Sequence, residues 1–241
     1  MNEQCIQVNN LTKSFSGRKV INDLSFEVNK GEVFALLGHN GAGKSTTIDL
    51  ILRLKCPDEG NATIFGMDAA KHRKKVFEKV GVQLQHTQYQ NMMTVEEACI
   101  EYASLYEMPS DYKALLHSFG LSDLKKSYIN KLSGGEKQKL SVVLALIGNP
   151  EMVFLDELTT GLDVAARREV WRTLKLLKEK GLTIFLTTHY MEEVQALCDH
   201  VCIIKSGEKV IEGTIAEIVN ASGKTDLEEA YLYFMGEEDL L

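Results

Sequence analysis

The chain has 241 residues, 44% of them apolar, which suits one large domain or two small ones with a real core. Its 27 basic and 34 acidic residues give a net charge of -7, which argues against broad contact with nucleic acid. Its longest apolar run, residues 142–147, is far short of the about 20 residues that cross a membrane, and MNEQCIQVNN lacks a signal-peptide pattern, so neither a membrane span nor secretion is expected. Five scattered cysteines, Cys5, Cys56, Cys99, Cys198 and Cys202, do not form a disulfide framework. Cys198 and Cys202 have metal-compatible spacing, but no second pair completes a site, and all five are read as small buried hydrophobes.

Strands are expected at residues 6–11, 20–24 and 25–28, with SGRK as the turn between the first two. A short apolar strand, EVFALL, ends at a glycine, and a helix follows over residues 44–54. Residues 60–66 read as another strand, 69–79 as a polar helix and 80–84 as a short strand. Thr94 and Glu97 have the spacing of a capping box, opening a helix to about residue 107. Residues 111–119 read as helical, so 88–148 is a mainly helical block without a strand. Strands return in MVFLDE, TIFLTTH and HVCIIK, with a helix over 164–180 between the first two. IIKSGEKVIEG reads as a hairpin with a Ser-Gly turn, and Thr214 with Glu217 forms a further capping box. Leu227, Tyr231 and Phe234 share a helical face that packs on the domain.

This alternation predicts an α/β fold: a phosphate-loop NTPase core with a mainly parallel sheet, an N-terminal antiparallel β subdomain and an inserted helical subdomain. The expected division is a core of residues 1–87 and 149–223, a helical block of 88–148 and a helical tail of 224–241.

GHNGAGKS matches G-x-x-x-x-G-K-S/T, between an apolar strand and a helix. Gly38, Gly41 and Gly43 let backbone N–H groups wrap phosphate oxygens, with Asn40 and Thr46 completing the loop. Lys44 offers a positive charge to the β- and γ-phosphates, and Ser45 a hydroxyl to Mg²⁺. The substrate class is a nucleoside triphosphate; the use of its energy is not set by this loop.

MVFLDE ends in two acids, and ligands of parallel sheets sit beyond the carboxyl ends of strands. Asp156 is expected at the metal, and Glu157 as the base that orients and deprotonates water. His189, at the end of TIFLTTH, either meets the γ-phosphate or water there, or is an ordinary surface or core histidine. LSGGEKQKL is a second glycine turn opening a helix. Ser133 and Glu136 have capping-box spacing, and such a turn is an anion site without a phosphate of its own.

With these motifs in order, the chain resembles the ATP-binding subunit of an ABC transporter, from Phe15 to about Gly213. Leu132, Ser133, Gly134 and Gly135 match the family signature, whose ideal form begins LSGGQ; Glu136 departs from that glutamine. The resemblance implies further roles. Gln85 corresponds to the Q-loop glutamine, which contacts Mg²⁺ and water and senses the membrane partner, with Gln83 as its competitor. Phe15 stands where the family stacks an aromatic on adenine; its own sequence fits a core aromatic too. Residues 161–163 match the D-loop, His189 the switch histidine and Glu157 the catalytic glutamate. Leu158 replaces the family's usual proline, leaving more backbone freedom before the D-loop.

The resemblance also implies ATP and Mg²⁺, and a homodimer or heterodimer of ATPase subunits. In that dimer each ATP lies on one subunit's loop, covered by Ser133 and Gly135 of the other. A membrane-spanning transporter subunit is implied as well, with this chain peripheral at the cytoplasmic face of the cell membrane and no nucleic acid. Relatives with this wording often export drugs, polysaccharides, lipids or ions such as sodium. Tyr89 to Met93 is a candidate surface for the membrane partner, or ordinary core and loop. The alternative is a soluble ABC-type ATPase acting on DNA or the ribosome. Such relatives carry a long coiled coil or a second domain, whereas here 46 residues without sustained heptads separate Gln85 from the signature.

Overall fold

The computed structural model describes residues 3–84, 89 and 92–237. It divides into two compact units, residues 1–76 with 185–241, and residues 77–184. The fold is the expected α/β type. Among the described residues, no helix is long and apolar enough to cross a membrane.

In the first unit, β1 (Gln4–Phe15) pairs antiparallel with both β2 (Arg18–Asn29) and β4 (Glu59–Ile64). Ser16 and Gly17, with φ of 48° and 79°, turn β1 into β2. Two left-handed loops sit back to back where the ladder shifts register. Asn10 (φ 48°) donates from Nδ2 to Asp23 Oδ1 at 2.7 Å, and Asp23 itself has φ 53°. Gly60 passes beside this bulge: a Cβ there would meet Asn10 O at 2.3 Å, so only glycine fits without moving backbone.

The same unit holds β3 (Val33–Leu37), buried along its whole length as a parallel strand should be. It runs parallel to β8 (His200–Lys205), which turns at Ser206 and Gly207 into antiparallel β9 (Glu208–Gly213). On its other side, Gly38 N donates to Thr188 O at 3.4 Å, at the end of β7 (Thr183–Thr188). Phe26, Phe34 and Phe185 form a stacked core cluster, with centroids 5.2 to 5.9 Å apart. Aromatic pairs of this kind add about 0.5–1.5 kcal/mol beyond their buried area. The helices here include α1 (Lys44–Ile51), α7 (Met191–Leu197), α8 (Ile215–Ser222) and α9 (Leu227–Met235). In α9, Leu227, Ala230, Tyr231 and Met235 are buried against α7 and α8, while Phe234 is half-buried. The polar helix expected over 69–79 shrinks to α2 (Arg73–Phe77).

The second unit pairs β5 (Val80–Gln83) parallel with β6 (Met152–Asp156). Its helices are α3 (Val95–Ala103), α4 (Tyr112–Ser118), α5 (Gly134–Leu146) and α6 (Val164–Glu179). Two single 3₁₀ turns, Ser122–Leu124 and Ile129–Lys131, join α4 to α5. The apolar run 142–147 lies buried at the end of α5, a helix that covers β5 and on which α3 and α4 pack. Among the described residues of 88–148 there is no strand, as expected. Of the cysteines, Cys5, Cys99 and Cys202 are buried and Cys198 partly so; Cys56 is exposed, contrary to expectation. Among the described residues, no group of three His, Cys, Asp or Glu could hold a metal ion.

Candidate functional site

In the first unit the phosphate loop joins β3 to α1. Gly41 and Gly43 take φ of 81° and 110°. Gly43 is also wedged, since a Cβ there would meet Ile21 Cδ1 at 2.6 Å, whereas a Cβ on Gly41 would meet nothing within 4 Å. Gly41 is therefore glycine for its backbone angle, and the space above it is open. His39, Asn40 and Gly41 form an exposed crest; Ser45 and Thr46 are half-buried in the first turn of α1.

The start of α1 is distinctive. Among the described residues, the other helices of eight or more residues all begin with a side-chain cap, from Thr94, Ser133, Asp163, Thr214 or Asp226. The start of α1 has Gly43 and no side-chain cap. Its first-turn N–H groups lack intrahelical acceptors and its dipole is positive there, so this end is left for an anion. Lys44, only 4% exposed, donates to Gly38 O at 2.9 Å and His39 O at 3.2 Å. Those bonds hold the ammonium inside the loop it would share with phosphate.

Phe15 ends β1 and is 40% exposed, so the reading as a core aromatic does not hold. Lys13 Nζ and Lys55 Nζ lie 5.5 and 5.4 Å from its ring centroid. Lys13 also pairs with Asp58 at 2.7 Å, and Lys55 with Asp49 at 2.8 Å. The hydrogen bond from Lys13 and the Ser14 N–H hold the Asp58 carboxyl below the usual carboxylate range. His189 follows β7 half-buried, its ring 4.1 Å from that of Tyr190.

The second unit carries the acids and the signature. Asp156 closes β6 with its side chain buried, and its backbone carbonyl accepts from Gln83 Nε2 at 3.4 Å. Gln83 is thus a buried residue of β5. Gln85 lies outside the described residues, as do residues 90 and 91 of the segment 89–93; Met92 of that segment is exposed. Glu157 has φ 50°, a left-handed backbone for a non-glycine residue. Such strain costs of order 1–3 kcal/mol and persists where surroundings enforce it. Here Leu158 is completely buried beside it, and Thr160 N donates back to Glu157 O at 3.3 Å. This backbone strain had no sequence signal. Gly161 (φ 80°) and buried Leu162 then lead to Asp163, which caps α6 by accepting from Ala166 N at 2.8 Å.

Ser133 opens α5 with a complete capping box. Its Oγ accepts from Glu136 N at 3.2 Å, and Glu136 Oε2 accepts from Ser133 N at 2.7 Å. The Ser133 N–H is the main cause that holds the Glu136 carboxyl below its ordinary range. Glu136 is therefore a charged residue turned back onto the backbone. Ser133 keeps its hydroxyl proton, and the N–H groups of Gly134 and Gly135 have no intrahelical acceptor. Ser133 and Gly134 are exposed.

The ABC transporter family model matches residues 21–160. That span takes in the phosphate loop, the signature turn and Asp156 with Glu157, and leaves out Phe15 and His189. A Nod factor export ATP-binding protein from Burkholderia lata is 36% identical over 231 residues, 94% of this chain and 76% of that protein. A linearmycin resistance ATP-binding protein from Bacillus subtilis is 35% identical over 223 residues, 90% of this chain and 72% of that one. A solved ATP-binding subunit of an ABC transporter matches with a TM-score of 0.88 at 30% identity, over 96% of this chain and 99% of that one.

Proposed function

The chain belongs to the ABC transporter family, and on that premise we propose that it binds and hydrolyses ATP to power export through a separate membrane-spanning subunit. ATP hydrolysis is the activity of this family. The observation that carries the reading is the start of α1, left without a side-chain cap behind a glycine loop with Lys44 buried in it. The name of the Burkholderia lata relative, a Nod factor export ATP-binding protein, supports export over import.

Gly38, Asn40, Gly41, Gly43, Lys44 and Thr46 would hold the β- and γ-phosphates, and Phe15 would stack on adenine. The Ser45 hydroxyl, the Asp156 carboxylate and Gln85 offer the hard oxygen donors that suit Mg²⁺. That ion would neutralise charge on the phosphates. Glu157 takes a proton from water as the water oxygen bonds to the γ-phosphorus. The bond to the bridging oxygen breaks, leaving ADP and phosphate. His189 would steady the γ-phosphate or the water. Lys44 gives up carbonyl acceptors for phosphate oxygens, at small cost because both are charge-assisted bonds.

The exposed Ser133 hydroxyl and the free N–H groups of Gly134 and Gly135 would cover the ATP of a second subunit, in a homodimer or heterodimer. The dimer would work at the cytoplasmic face of the cell membrane, with Gln85 and the helical block carrying its motion to the membrane subunit. Steady-state hydrolysis by Lys44→Ala tests the reading. Removing one preorganised charge from a reacting phosphate lowers turnover about 10²–10³-fold. A variant that turns over ATP at the wild-type rate would remove the loop from the chemistry.

A further inference from the structure

A cavity of about 320 Å³ lies within the second unit, between α4 and α6. This is the lower range of small-ligand pockets, about 300–1,000 Å³. Its walls are apolar: Leu115 and Phe119 on one side, Leu176 and Leu177 on the other. Thr173 Oγ1 donates to Ser118 O at 3.0 Å, with Glu169 O as a second acceptor at 3.1 Å, and Ser118 Oγ donates to Ala114 O at 3.0 Å, so the wall hydroxyls are engaged and α4 is tied to α6. Phe119 is buried and Leu176 is 53% exposed, which gives the cavity a fixed floor and an open lip.

The charged residues that line it are all of one sign. Arg172 and Lys180 are exposed lining residues, and no carboxylate lines the cavity. Neither side-chain cation has an ion-pair partner among the described residues. Two acids flank these cations on α6, Glu169, which is paired with Lys139, and exposed Glu179, next to Lys180; neither lines the cavity. In a chain of net charge -7, an apolar slot rimmed only by cations is complementary to one kind of ligand.

We propose that this cavity binds a single-chain anionic amphiphile, its acyl chain between α4 and α6 and its carboxylate on Arg172 and Lys180. The chain would cover Leu176 and Phe119, and the headgroup would gain charge-assisted hydrogen bonds, bidentate from the guanidinium. None of these residues belongs to the proposed nucleotide machinery, so the site stands or falls independently of ATP hydrolysis.

Isothermal titration of the nucleotide-free full chain with dodecanoate, below its micelle concentration, tests this. Dodecan-1-ol serves as the uncharged control and decanedioate as a doubly charged one. Dodecanoate is expected to bind with one-to-one stoichiometry, and the alcohol at least about tenfold more weakly. Arg172→Gln and Lys180→Gln should each weaken dodecanoate about tenfold, and Leu176→Asp should abolish binding. Leu176 is exposed, so that variant keeps its fold; an unchanged circular dichroism melt verifies it. Equal binding of acid and alcohol, unchanged binding by Leu176→Asp, or decanedioate binding as tightly as dodecanoate would each overturn the proposal. So would the absence of dodecanoate binding, whether or not an acidic apolar peptide occupies the slot instead.

Discussion

Gly135 of the signature turn faces Leu162 of the D-loop: a Cβ built on Gly135 would stand 3.1 Å from Leu162 Cδ2. Both belong to the second unit, and Leu162 is buried. The start of α5 and the segment that follows Glu157 therefore rest on each other in one chain. Gly135 is glycine for this contact, since its backbone angles need no special residue.

Gly135→Ala should push Leu162 by a few tenths of an ångström and disturb the segment behind Glu157. Alanine in a helix is favoured over glycine by about 0.5–1 kcal/mol, which offsets the crowding, so thermal stability should stay near wild type. Turnover should fall about tenfold, since small misplacements near reacting groups are costly. Nucleotide affinity, by equilibrium dialysis, should stay within about twofold. An equal loss of affinity would mean that the contact serves the chain's own loop.

Ser133→Arg separates the two glycine turns. Ser133 is exposed and its proposed ligand sits on another subunit. Hydrolysis should be lost while binding of ATP to the single subunit remains close to wild type. The lost cap costs about 1 kcal/mol, too little to unfold the chain. Binding and hydrolysis falling together would count against the role across subunits.

The His200–Glu212 pair predicts a pH effect on stability. His200 stacks on Phe34 and lies 3.6 Å from Glu212, which also pairs with Lys209 at 2.8 Å. The hydrogen bond to Glu212 raises the His200 pKa against the opposing effect of burial, and Glu32 and Glu217 add to the rise. Burial pushes Glu212 upward, but hydrogen bonds from His200 and Lys209 outweigh it and leave its pKa lowered. Glu212 is therefore ionised throughout the window in which His200 titrates. The pair's stabilisation is complete below the ordinary histidine pKa of about 6.5 and is lost as pH rises through the raised value. Urea unfolding of wild type against His200→Gln should show a difference of about 0.5–1 kcal/mol at pH 6 that disappears by pH 9. A difference that grows with pH would contradict the sign.

The local chemistry was the legible part of this chain. Three boxes, at Thr94, Ser133 and Thr214, form as their i, i+3 spacing implies, because both partners lie within one turn. The apolar strands ending at Gly38 and Asp156 were equally plain, since buried parallel strands need continuous apolar runs. What hid was set by tertiary context. The expected strands over 20–24 and 25–28 are one strand, β2, whose buried residues run Ile21, Leu24, Phe26, Val28. The three-residue step falls at the left-handed Asp23, and a bulge that shifts the period reads like a break. Helix α7 went unread because it is short and Tyr190 gives it no cap. Helix α3 stops at Ala103, short of about 107, leaving Leu105 and Met108 exposed. In the candidate site, residue types and order were readable; the strain at Glu157 and the contact between Gly135 and Leu162 were not, because neither follows from a motif.

In the proposed mechanism Glu157 drives hydrolysis of an ATP shared by two subunits. Glu157→Gln keeps the side-chain shape and removes the base. Size-exclusion chromatography with light scattering, run with ATP and Mg²⁺, measures the outcome directly. The variant should elute as a dimer carrying two ATP per dimer, with turnover reduced about 10²–10⁴-fold, and return to monomer with ADP. A variant that stays monomeric with ATP and hydrolyses it at the wild-type rate would contradict the account.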